Sequence, residues 1–562
     1  MKNLILILFC TFFGLNYIVA QKVNLAKPSE VQYAWQEQER IMFIHFGMAT
    51  WQGLEYDNGN FDLKRINPDH INTDDWCKVA SSWGAKQIIF VAKHVGGFCW
   101  WPTKTTEYCV RNIPWKNGKG DLLGELSASC KRYGINLGVY CYPGDVQWGA
   151  GIGSGGKTND PSKQKAYNEV YRKQLIELLT HYGQMKEVWF DGSCIINVND
   201  ILEKYAKNAV IFQGPKASIR WPGTETARLY YPVWNSLKKS DLESGISTQY
   251  NDDPEGDAWA PLEADAPLYN HNWFWSPGNE TKRRSIDELM DIYYKSAGYG
   301  SVLLLNSTPD TTGVIPAGDV KTYADFGKEI TRRFSKPVAA IKERTGQEVE
   351  ISFNHPQEIN HTIVMEDYRE GHRIREYVIE GLVGSEWKTL AKGSSVGREK
   401  IDPFATVKVS KVRLKVTKNV DVPLIRSFEV FDVENYRFEP APFETSDWKE
   451  CGEWDTRSFI NGKKEMSIDL SKYILKPGQY EVIFTYSINI TGMHVDKAEI
   501  IFEKDTTLQE YISRKDDENT FYINRTSQIA KGSSSVLKVQ MSSDNKVFQN
   551  KGVIKIRERS MK

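Results

Sequence analysis

The chain has 562 residues, which is too long for a single hydrophobic core and predicts two to four domains. Lys plus Arg and Asp plus Glu both number 72, so the zero formal net charge argues against nucleic acid or an anionic membrane as the main partner. The 17 Trp and 27 Tyr residues favour a carbohydrate partner, because aromatic rings stack on the apolar faces of sugars, although tryptophan also fills cores.

Residues 1–20 have the composition of a secretory signal peptide. A lysine at position 2 precedes an apolar run over residues 4–13, and Val19-Ala20 offers a cleavage site before Gln21. Phe9 is too bulky for a lipoprotein signal at Cys10, so we expect cleavage without lipidation and a secreted or periplasmic protein. No later segment approaches about 20 uninterrupted apolar residues, so no transmembrane segment is expected.

Seven cysteines remain after this segment, six of them before residue 200 at irregular spacing. No CxxC pair or Cys/His cluster occurs, so the sequence predicts neither a metal site nor a cofactor. Most of these thiols are expected to be small buried apolar groups. Cys99 and Cys109 are one candidate pair for a disulfide, which the sequence leaves open.

Between residues 21 and 335, short apolar runs alternate with amphipathic helical patterns, which is typical of a parallel α/β fold. About 300 residues of this kind suit a (β/α)8 TIM-like barrel, with one or two strands hidden in the irregular region from Ile219 to Trp275. The predicted strands are Ile41–Phe46, Gln87–Lys93, Asn136–Tyr142, Glu187–Phe190, Ala209–Gln213 and Ser301–Leu305, and the predicted helices are Thr73–Trp83, Leu122–Tyr133, Lys163–Tyr182, Asn199–Ala206 and Ser285–Ala297.

After about Phe334 the helical periodicity gives way to short alternating runs. This pattern predicts a β-sandwich domain over residues 336–437. A boundary near Pro440–Pro442 separates it from a second β-rich, sandwich-like domain over residues 438–562.

Polar residues collect where the predicted barrel strands end, and in a parallel barrel these ends share one face. His45, His94, Tyr142 and Asp191 each lie at or just beyond a strand end. A lone strand-end histidine is more often structural, but two of them beside a Tyr and an Asp indicate a polar pocket suited to a polyol, whereas no phosphate-binding motif occurs. Several tryptophans follow these strands and are expected to form its wall: Trp51, Trp100, Trp101, Trp148 and Trp221.

Sugar hydrolysis needs two carboxyl groups, and Asp191 in Glu187-Val188-Trp189-Phe190-Asp191-Gly192 is the natural nucleophile. Glu225 is the preferred acid/base, because its aromatic surroundings favour a raised pKa. Glu263 is the second candidate and is also suited to orienting a neighbour, while Glu243 and Glu255 are interpreted as solvated surface groups.

Five motifs carry a resemblance to a known family: Ile44–Met48, Lys93-His94 to Trp101-Pro102, Pro114–Asp121, Glu187–Gly192 and Leu303–Asn306. From Val31 through Val433 the chain resembles glycoside hydrolase family 29, the α-L-fucosidase family, especially its branch preferring α-1,3/1,4 linkages. The resemblance implies an exo-acting, retaining hydrolase of a terminal α-L-sugar on an oligosaccharide or polysaccharide, with Asp191 as nucleophile, Glu225 as acid/base and no metal. It also implies sugar contacts from His45, His94, Trp51, Glu55, Tyr142, Trp189, Arg220 and Phe274.

One departure bears on the sugar. Where the family usually reads Lys-His-His-Asp-Gly-Phe, this chain has Val95 and Gly96 in place of the second histidine and the aspartate. The histidine is lost as a hydrogen-bond donor, and extra space is expected in the sugar pocket. Two alternatives therefore stay open: an α-L-galactosidase, on sulfated or unsulfated L-galactosides, and a non-catalytic sugar-binding protein.

Overall fold

The computed structural model describes residues 24–561 apart from 270–271, 440–442, 446–447, 486–492, 503–508, 511–512, 515–516, 526–533 and 544–550. The predicted signal peptide therefore lies outside the described residues. No helix in the described part of the chain is long and apolar enough to cross a membrane.

The first half of the chain forms a parallel sheet surrounded by helices. Seven strands pair in the order β5-β4-β3-β2-β1-β9-β8, and every pairing in this sheet is parallel. The strands before residue 310 are β1 Arg40–Ile44, β2 Gln87–Lys93, β3 Asn136–Cys141, β4 Glu187–Trp189, β5 Val210–Phe212, β6 Ser236–Leu237, β7 Ala258–Trp259, β8 Glu263–Pro267 and β9 Val302–Ser307. The α-helices are α1 Glu30–Gln36, α2 Met48–Gln52, α3 Thr73–Ser82, α4 Leu122–Tyr133, α5 Gln164–His181, α6 Asn199–Tyr205, α7 Lys239–Glu243, α8 Ile286–Lys295 and α9 Ala317–Phe334.

The gap between the two edge strands is closed by residues 219–221. Ile219 forms a parallel bridge with Phe212 at the end of β5, and Arg220 forms one with Leu262 next to β8. The barrel-like fold predicted from the sequence is therefore confirmed. The strands hidden in the irregular region are this short segment and β8.

The strands alternate between two apolar layers, as the two-residue period of a strand requires. In β1, Ile41 and Phe43 belong to the interior of the barrel, whereas Met42 and Ile44 pack in the layer beneath the helices. Helix α1 contributes Trp35 to the interior cluster. The interior of the barrel is thus filled by side chains.

After the barrel come antiparallel sheets, as expected for the sandwich region. Six strands pair in the order β10-β15-β11-β14-β12-β13 around one apolar cluster: β10 Ala339–Thr345, β11 Glu348–Glu366, β12 Ile374–Val383, β13 Glu386–Gly393, β14 Lys400–Asn419 and β15 Leu424–Phe431. The domain limits at 335/336 and 437/438 stay predictions.

Two further sheets enclose a separate apolar cluster in the last part of the chain. One has the order β16-β25-β19-β23-β22 with β17 also paired to β25, and the other has the order β18-β24-β20-β21. Their strands are β16 Phe443–Thr445, β17 Lys449–Asp455, β18 Lys463–Asp469, β19 Gly478–Phe484, β20 Met493–Phe502, β21 Gln509–Glu510, β22 Ser513–Arg514, β23 Asp517–Arg525, β24 Ser535–Ser543 and β25 Lys551–Met561.

All seven cysteines of the described chain are free thiols. The sulfur atoms of the candidate pair have separate partners, because Cys99 Sγ donates to the Gly97 carbonyl and Cys109 Sγ to the Thr103 carbonyl. The structure therefore does not contain the Cys99–Cys109 disulfide that the sequence left open.

Candidate active site

A cavity opens at the carboxyl ends of the barrel strands, and both carboxylates singled out from the sequence line it. The space inside it is about 540 Å³ when the open solvent at its mouth is included. We call it the strand-end cavity. Its lining residues are Phe43, His45, Glu55, Tyr56, His94, Tyr140, Trp189, Asp191, Phe212, Gln213, Trp221, Glu225, Asp265 and Trp273.

Asp191 lies two residues beyond the end of β4 and has an unusual backbone conformation. Its φ is 54°, in the left-handed region, and Gly192 continues the turn with φ 108°. Such a conformation costs a non-glycine residue on the order of 1 kcal/mol and is typical of functional positions. Tyr140, on the neighbouring β3, donates a hydrogen bond from its hydroxyl to Asp191 Oδ2 at 2.8 Å.

Burial raises the pKa of Asp191 to about 6, and the negative charge of Glu225 adds to this rise. The hydrogen bond from Tyr140 acts in the opposite direction, because it stabilises the ionised carboxylate. Asp191 is therefore ionised above about pH 6 while it stays poorly solvated, which suits a carboxylate that attacks a carbon atom.

Glu225 lies at the exposed mouth of the cavity on the loop that follows residues 219–221. The indole Nε1 of Trp273 donates a hydrogen bond to Glu225 Oε2 at 3.1 Å. The negative charge of Glu225 also raises the pKa of three neighbouring carboxyls, those of Asp191, Glu55 and Asp265. Its place at the rim is where a leaving group would exit.

Glu55 is a second rim carboxyl, and Trp273 connects it to Glu225. The Trp273 amide donates to Glu55 Oε1 at 2.8 Å. Burial nevertheless raises the pKa of Glu55 to about 7, with a further contribution from the charge of Glu225. Near neutral pH, Glu55 is therefore divided between its acid and carboxylate forms, and it can donate as well as accept a hydrogen bond.

The two histidines are held neutral. Burial lowers the pKa of His45 to about 3 and that of His94 to about 4. His45 Nδ1 lies 2.8 Å from Asn306 Oδ1, and Asn306 in turn donates to the Trp273 carbonyl at 2.9 Å. Because the Asn306 side-chain nitrogen donates to Trp273, its oxygen faces His45 and accepts a hydrogen bond from Nδ1. The proton of His45 is therefore on Nδ1, and Nε2 can accept a hydrogen bond from a hydroxyl group. Neutral imidazoles of this kind suit a sugar ligand.

Beneath the cavity, Glu187 on β4 and Glu263 on β8 form a fully buried carboxyl pair. Glu187 Oε2 accepts hydrogen bonds from Trp35 Nε1 and Gln87 Nε2 at 2.8 and 2.7 Å. Glu263 Oε2 accepts from Trp189 Nε1 at 2.7 Å. Burial raises the pKa of both carboxyls, and the neighbouring charge of Glu187 raises that of Glu263 further, so Glu263 holds the proton. Glu263 thus orients the Trp189 wall from outside the cavity, where it cannot protonate a leaving group.

Trp189 and Phe212 form the most regular part of the wall, stacked with centroids 3.7 Å apart at an interplanar angle of 1°. Trp221 lines the cavity from the next strand segment, and its Nε1 donates to Asp265 Oδ1 at 2.7 Å. Burial raises the pKa of Asp265, as does the charge of Glu225. Asp265 is therefore a fourth carboxyl in the cavity lining, and its burial favours the protonated form.

Arg220 was expected to contact the sugar, and the structure corrects this prediction. Its side chain is fully enclosed. The guanidinium donates at 2.8 Å to each of the carbonyls of Ala260, Thr248 and Trp234, and it pairs with Asp252 at 2.9 Å. Arg220 therefore ties together the backbone segments around the barrel gap and does not line the strand-end cavity.

Three aromatic residues expected to contact the sugar lie behind the wall of the cavity instead. Trp51 packs against Phe46, with ring centroids 5.2 Å apart. Tyr142 lies against His94, and its hydroxyl accepts a hydrogen bond from the Gly153 amide. Phe274 meets His94 edge-on at 5.2 Å. Trp100, Trp101 and Trp148 are likewise absent from the lining, so Trp221 is the member of the predicted tryptophan wall that reaches the cavity.

The space expected at Val95 and Gly96 is filled. Val95 is buried in the apolar interior cluster. A Cβ atom on Gly96 would lie 1.8 Å from Asp57 Oδ2, so the Asp57 carboxylate occupies the volume that a side chain there would take. Asp57 is 4% exposed and accepts hydrogen bonds from the Gly59 amide and the Tyr108 hydroxyl. Neither Val95 nor Gly96 lines the strand-end cavity.

The sequence reasoning missed several lining residues: Phe43, Tyr56, Tyr140, Phe212, Gln213, Asp265 and Trp273. Tyr140 could have been predicted from the sequence, because it lies two positions before Tyr142 and side chains two positions apart point to the same face of a strand. Asp265 required recognition of β8, whose sequence Glu-Ala-Asp-Ala-Pro carries no apolar run.

Known proteins share this architecture. The family model described as Alpha-L-fucosidase matches residues 17–332. Alpha-L-fucosidase 1 of Arabidopsis thaliana is 30% identical over 451 residues, which cover 71% of this chain and 86% of the relative.

Two solved structures extend the comparison. A Bacteroides thetaiotaomicron protein of this family is 32% identical with a TM-score of 0.69, and it covers 73% of this chain and 100% of its own. A glycoside hydrolase 29 family member from a rumen bacterium is 25% identical with a TM-score of 0.67, and it covers 93% of this chain and 97% of its own. The chain therefore belongs to the α-L-fucosidase family, glycoside hydrolase family 29, and is a glycoside hydrolase.

Proposed function

We propose that the protein is an exported, exo-acting, retaining α-L-fucosidase that removes terminal α-L-fucose from glycans. The observation that carries this proposal is that Asp191 and Glu225 line one cavity together with two neutral histidines. Phe43 and Trp189 belong to the barrel interior and close the cavity below, so it accepts the end of a glycan chain.

In the first step, the ionised Asp191 carboxylate attacks C1 of the sugar and forms a covalent ester. Glu225 simultaneously donates its proton to the glycosidic oxygen, which leaves with the rest of the glycan. In the second step, Glu225, now a carboxylate, takes a proton from water as the water oxygen attacks C1. The ester to Asp191 breaks, and the two inversions together retain the anomeric configuration.

The surrounding residues assist each stage. The Tyr140 hydroxyl stabilises the ionised form of Asp191 before attack. His45 Nε2 is directed towards the sugar hydroxyls by the bond from Nδ1 to Asn306. Trp189, held by Glu263, offers an apolar face to the C–H bonds of the sugar.

The cavity lining disfavours a sulfated sugar. Among the described residues that line it are four carboxyl groups, from Glu55, Asp191, Glu225 and Asp265, and no Lys or Arg. A sulfate would therefore meet negative charge without a cationic partner. Asp57 also fills the space at Gly96, so the missing side chain at that position gives no extra room for an L-galactoside. The presence of both carboxyls in one cavity speaks against a non-catalytic sugar-binding protein.

The preference for α-1,3/1,4 linkages and the export signal are part of the same proposal and rest on the sequence motifs. The direct test compares hydrolysis of aryl α-L-fucoside and aryl α-L-galactoside, followed by oligosaccharides with terminal α-1,2-, α-1,3- or α-1,4-linked fucose. We expect faster turnover of the fucoside and of the α-1,3/1,4 linkages. Faster turnover of the galactoside would refute the assignment of the sugar.

A further inference from the structure

The last strand of the chain reaches back to the barrel near the proposed proton donor. Along β25, Ile554 and Ile556 pack into the core between the two final sheets, so the alternate residues lie on the outer face. From that face, Lys555 Nζ donates a hydrogen bond to the Tyr250 carbonyl at 2.7 Å and lies 5.8 Å from the centroid of its ring. The contact joins residues that are 305 positions apart.

Tyr250 belongs to a segment of residues 248–252, which we call the brace loop. On its barrel side, the Gln249 amide donates to the Trp221 carbonyl at 3.1 Å, and Trp221 forms a parallel bridge with Thr248. The Tyr250 ring packs on Gly223 so closely that a Cβ there would lie 3.0 Å from Tyr250 Cε2. The brace loop therefore supports residues 221–223 directly.

Glu225 follows this supported segment by two residues and lies on the exposed rim of the cavity. A proton donor must lie within a fraction of an ångström of its productive position, and an exposed loop does not provide this by itself. The charge-assisted hydrogen bond from Lys555 to the Tyr250 carbonyl holds the backbone of the same residue whose ring packs on Gly223.

We propose that Lys555 is a positioning residue for Glu225, and that the last two sheets hold the acid/base loop of the barrel in place through it. The inference rests on the proposed function, because it assigns the proton donation to Glu225. The final part of the chain would then act on the chemistry of the barrel through the contact between Lys555 and Tyr250, neither of which is a catalytic residue.

The test uses Lys555→Met in the full-length protein, which removes the ammonium group and keeps most of the stem. Lys551 and Lys555 both line a polar cleft beside the brace loop, and Lys551 is exposed on the same strand. Lys551→Met is therefore the matched control. Tyr250→Ala removes the ring that packs on Gly223 and tests the same support from the barrel side. Each variant is assayed on an activated dinitrophenyl α-L-fucoside and on a poor-leaving-group alkyl α-L-fucoside.

Misplacement of the proton donor matters only when the leaving group needs protonation. We therefore expect Lys555→Met to lower kcat/KM about tenfold on the alkyl fucoside and less than twofold on the dinitrophenyl fucoside. Tyr250→Ala should show the same asymmetry, and Lys551→Met should match the wild type. An equal loss on both substrates, or no loss on either, would overturn the proposal.

Amide hydrogen exchange of peptides covering residues 219–226 gives a readout that does not depend on turnover. Exchange there should be faster in Lys555→Met than in Lys551→Met, with peptides from β2 unchanged in both. Unaltered exchange at 219–226 would contradict the positioning role. A wild-type protein inactive on every α-L-fucoside would refute the proposed function, and the exchange experiment would still decide whether Lys555 supports this loop.

Discussion

Replacing Asp191 with asparagine should make the protein more stable as well as inactive. The carboxylate is held where burial raises its pKa from 3.8 to about 6, so the folded state binds its proton more tightly than the unfolded state does. This difference corresponds to at most about 3 kcal/mol of unfavourable free energy once the pH is well above 6. Asparagine keeps the shape and the acceptor for the Tyr140 hydroxyl but carries no charge.

The sign of the pH dependence follows from the raised pKa. Well below its ordinary pKa of 3.8, Asp191 is protonated in both the folded and the unfolded state, so Asp191→Asn and wild type should unfold alike there. As the pH rises from about 4 to about 6, the unfolded wild type releases the Asp191 proton and the folded wild type still holds it, so the wild type loses stability relative to the variant. By pH 8 the variant should have the higher midpoint by on the order of 5 °C for a barrel of this size.

The assay is thermal unfolding followed by tryptophan fluorescence between pH 4 and pH 8, with Asp69→Asn on the exposed surface as the control. Turnover of an aryl α-L-fucoside by Asp191→Asn should fall by about 10³-fold or more. A stability difference that is the same at pH 4 and pH 8, or a variant less stable than the wild type at pH 8, would refute the account of the buried carboxylate.

Three further changes test neighbouring groups. Tyr140→Phe removes the donor to Asp191, so the acidic limb of kcat/KM should move to higher pH and activity at pH 7 should fall about tenfold; an unmoved limb would contradict this. Glu55→Gln should remove a titration near pH 7 from the pH–rate profile while dinitrophenyl fucoside is still hydrolysed, and persistence of that titration would assign it elsewhere. Gly96→Ala should displace the Asp57 carboxylate and lower stability by about 2 kcal/mol in a denaturation experiment, whereas an unchanged midpoint would show that the site can relax.

The sequence was sufficient for the barrel wherever the strands are apolar. All seven residues of β2 are buried, and the predicted limits Gln87–Lys93 match the strand. The strand β8 was missed for a physical reason. Its inward residues Glu263 and Asp265 are carboxyls satisfied by the indoles of Trp189 and Trp221, contacts that no local pattern reveals.

The site was predictable to the extent that strand ends meet on one face. This rule placed His45, His94 and Asp191 together, and all three line the strand-end cavity. It could not show that the Arg220 guanidinium donates its hydrogen bonds to backbone carbonyls around the barrel gap, because these partners lie up to 40 positions away in the sequence. Nor could it show that Asp57 replaces the side chain missing at Gly96.

The central claim is a double displacement at Asp191 with proton transfer by Glu225. Proton NMR of the sugar released during hydrolysis of an aryl α-L-fucoside tests it most directly, recorded before mutarotation. The account predicts that α-L-fucose appears first with the wild-type protein and that Asp191→Asn releases almost none. Initial formation of β-L-fucose, or an Asp191→Asn variant with wild-type turnover, would contradict it.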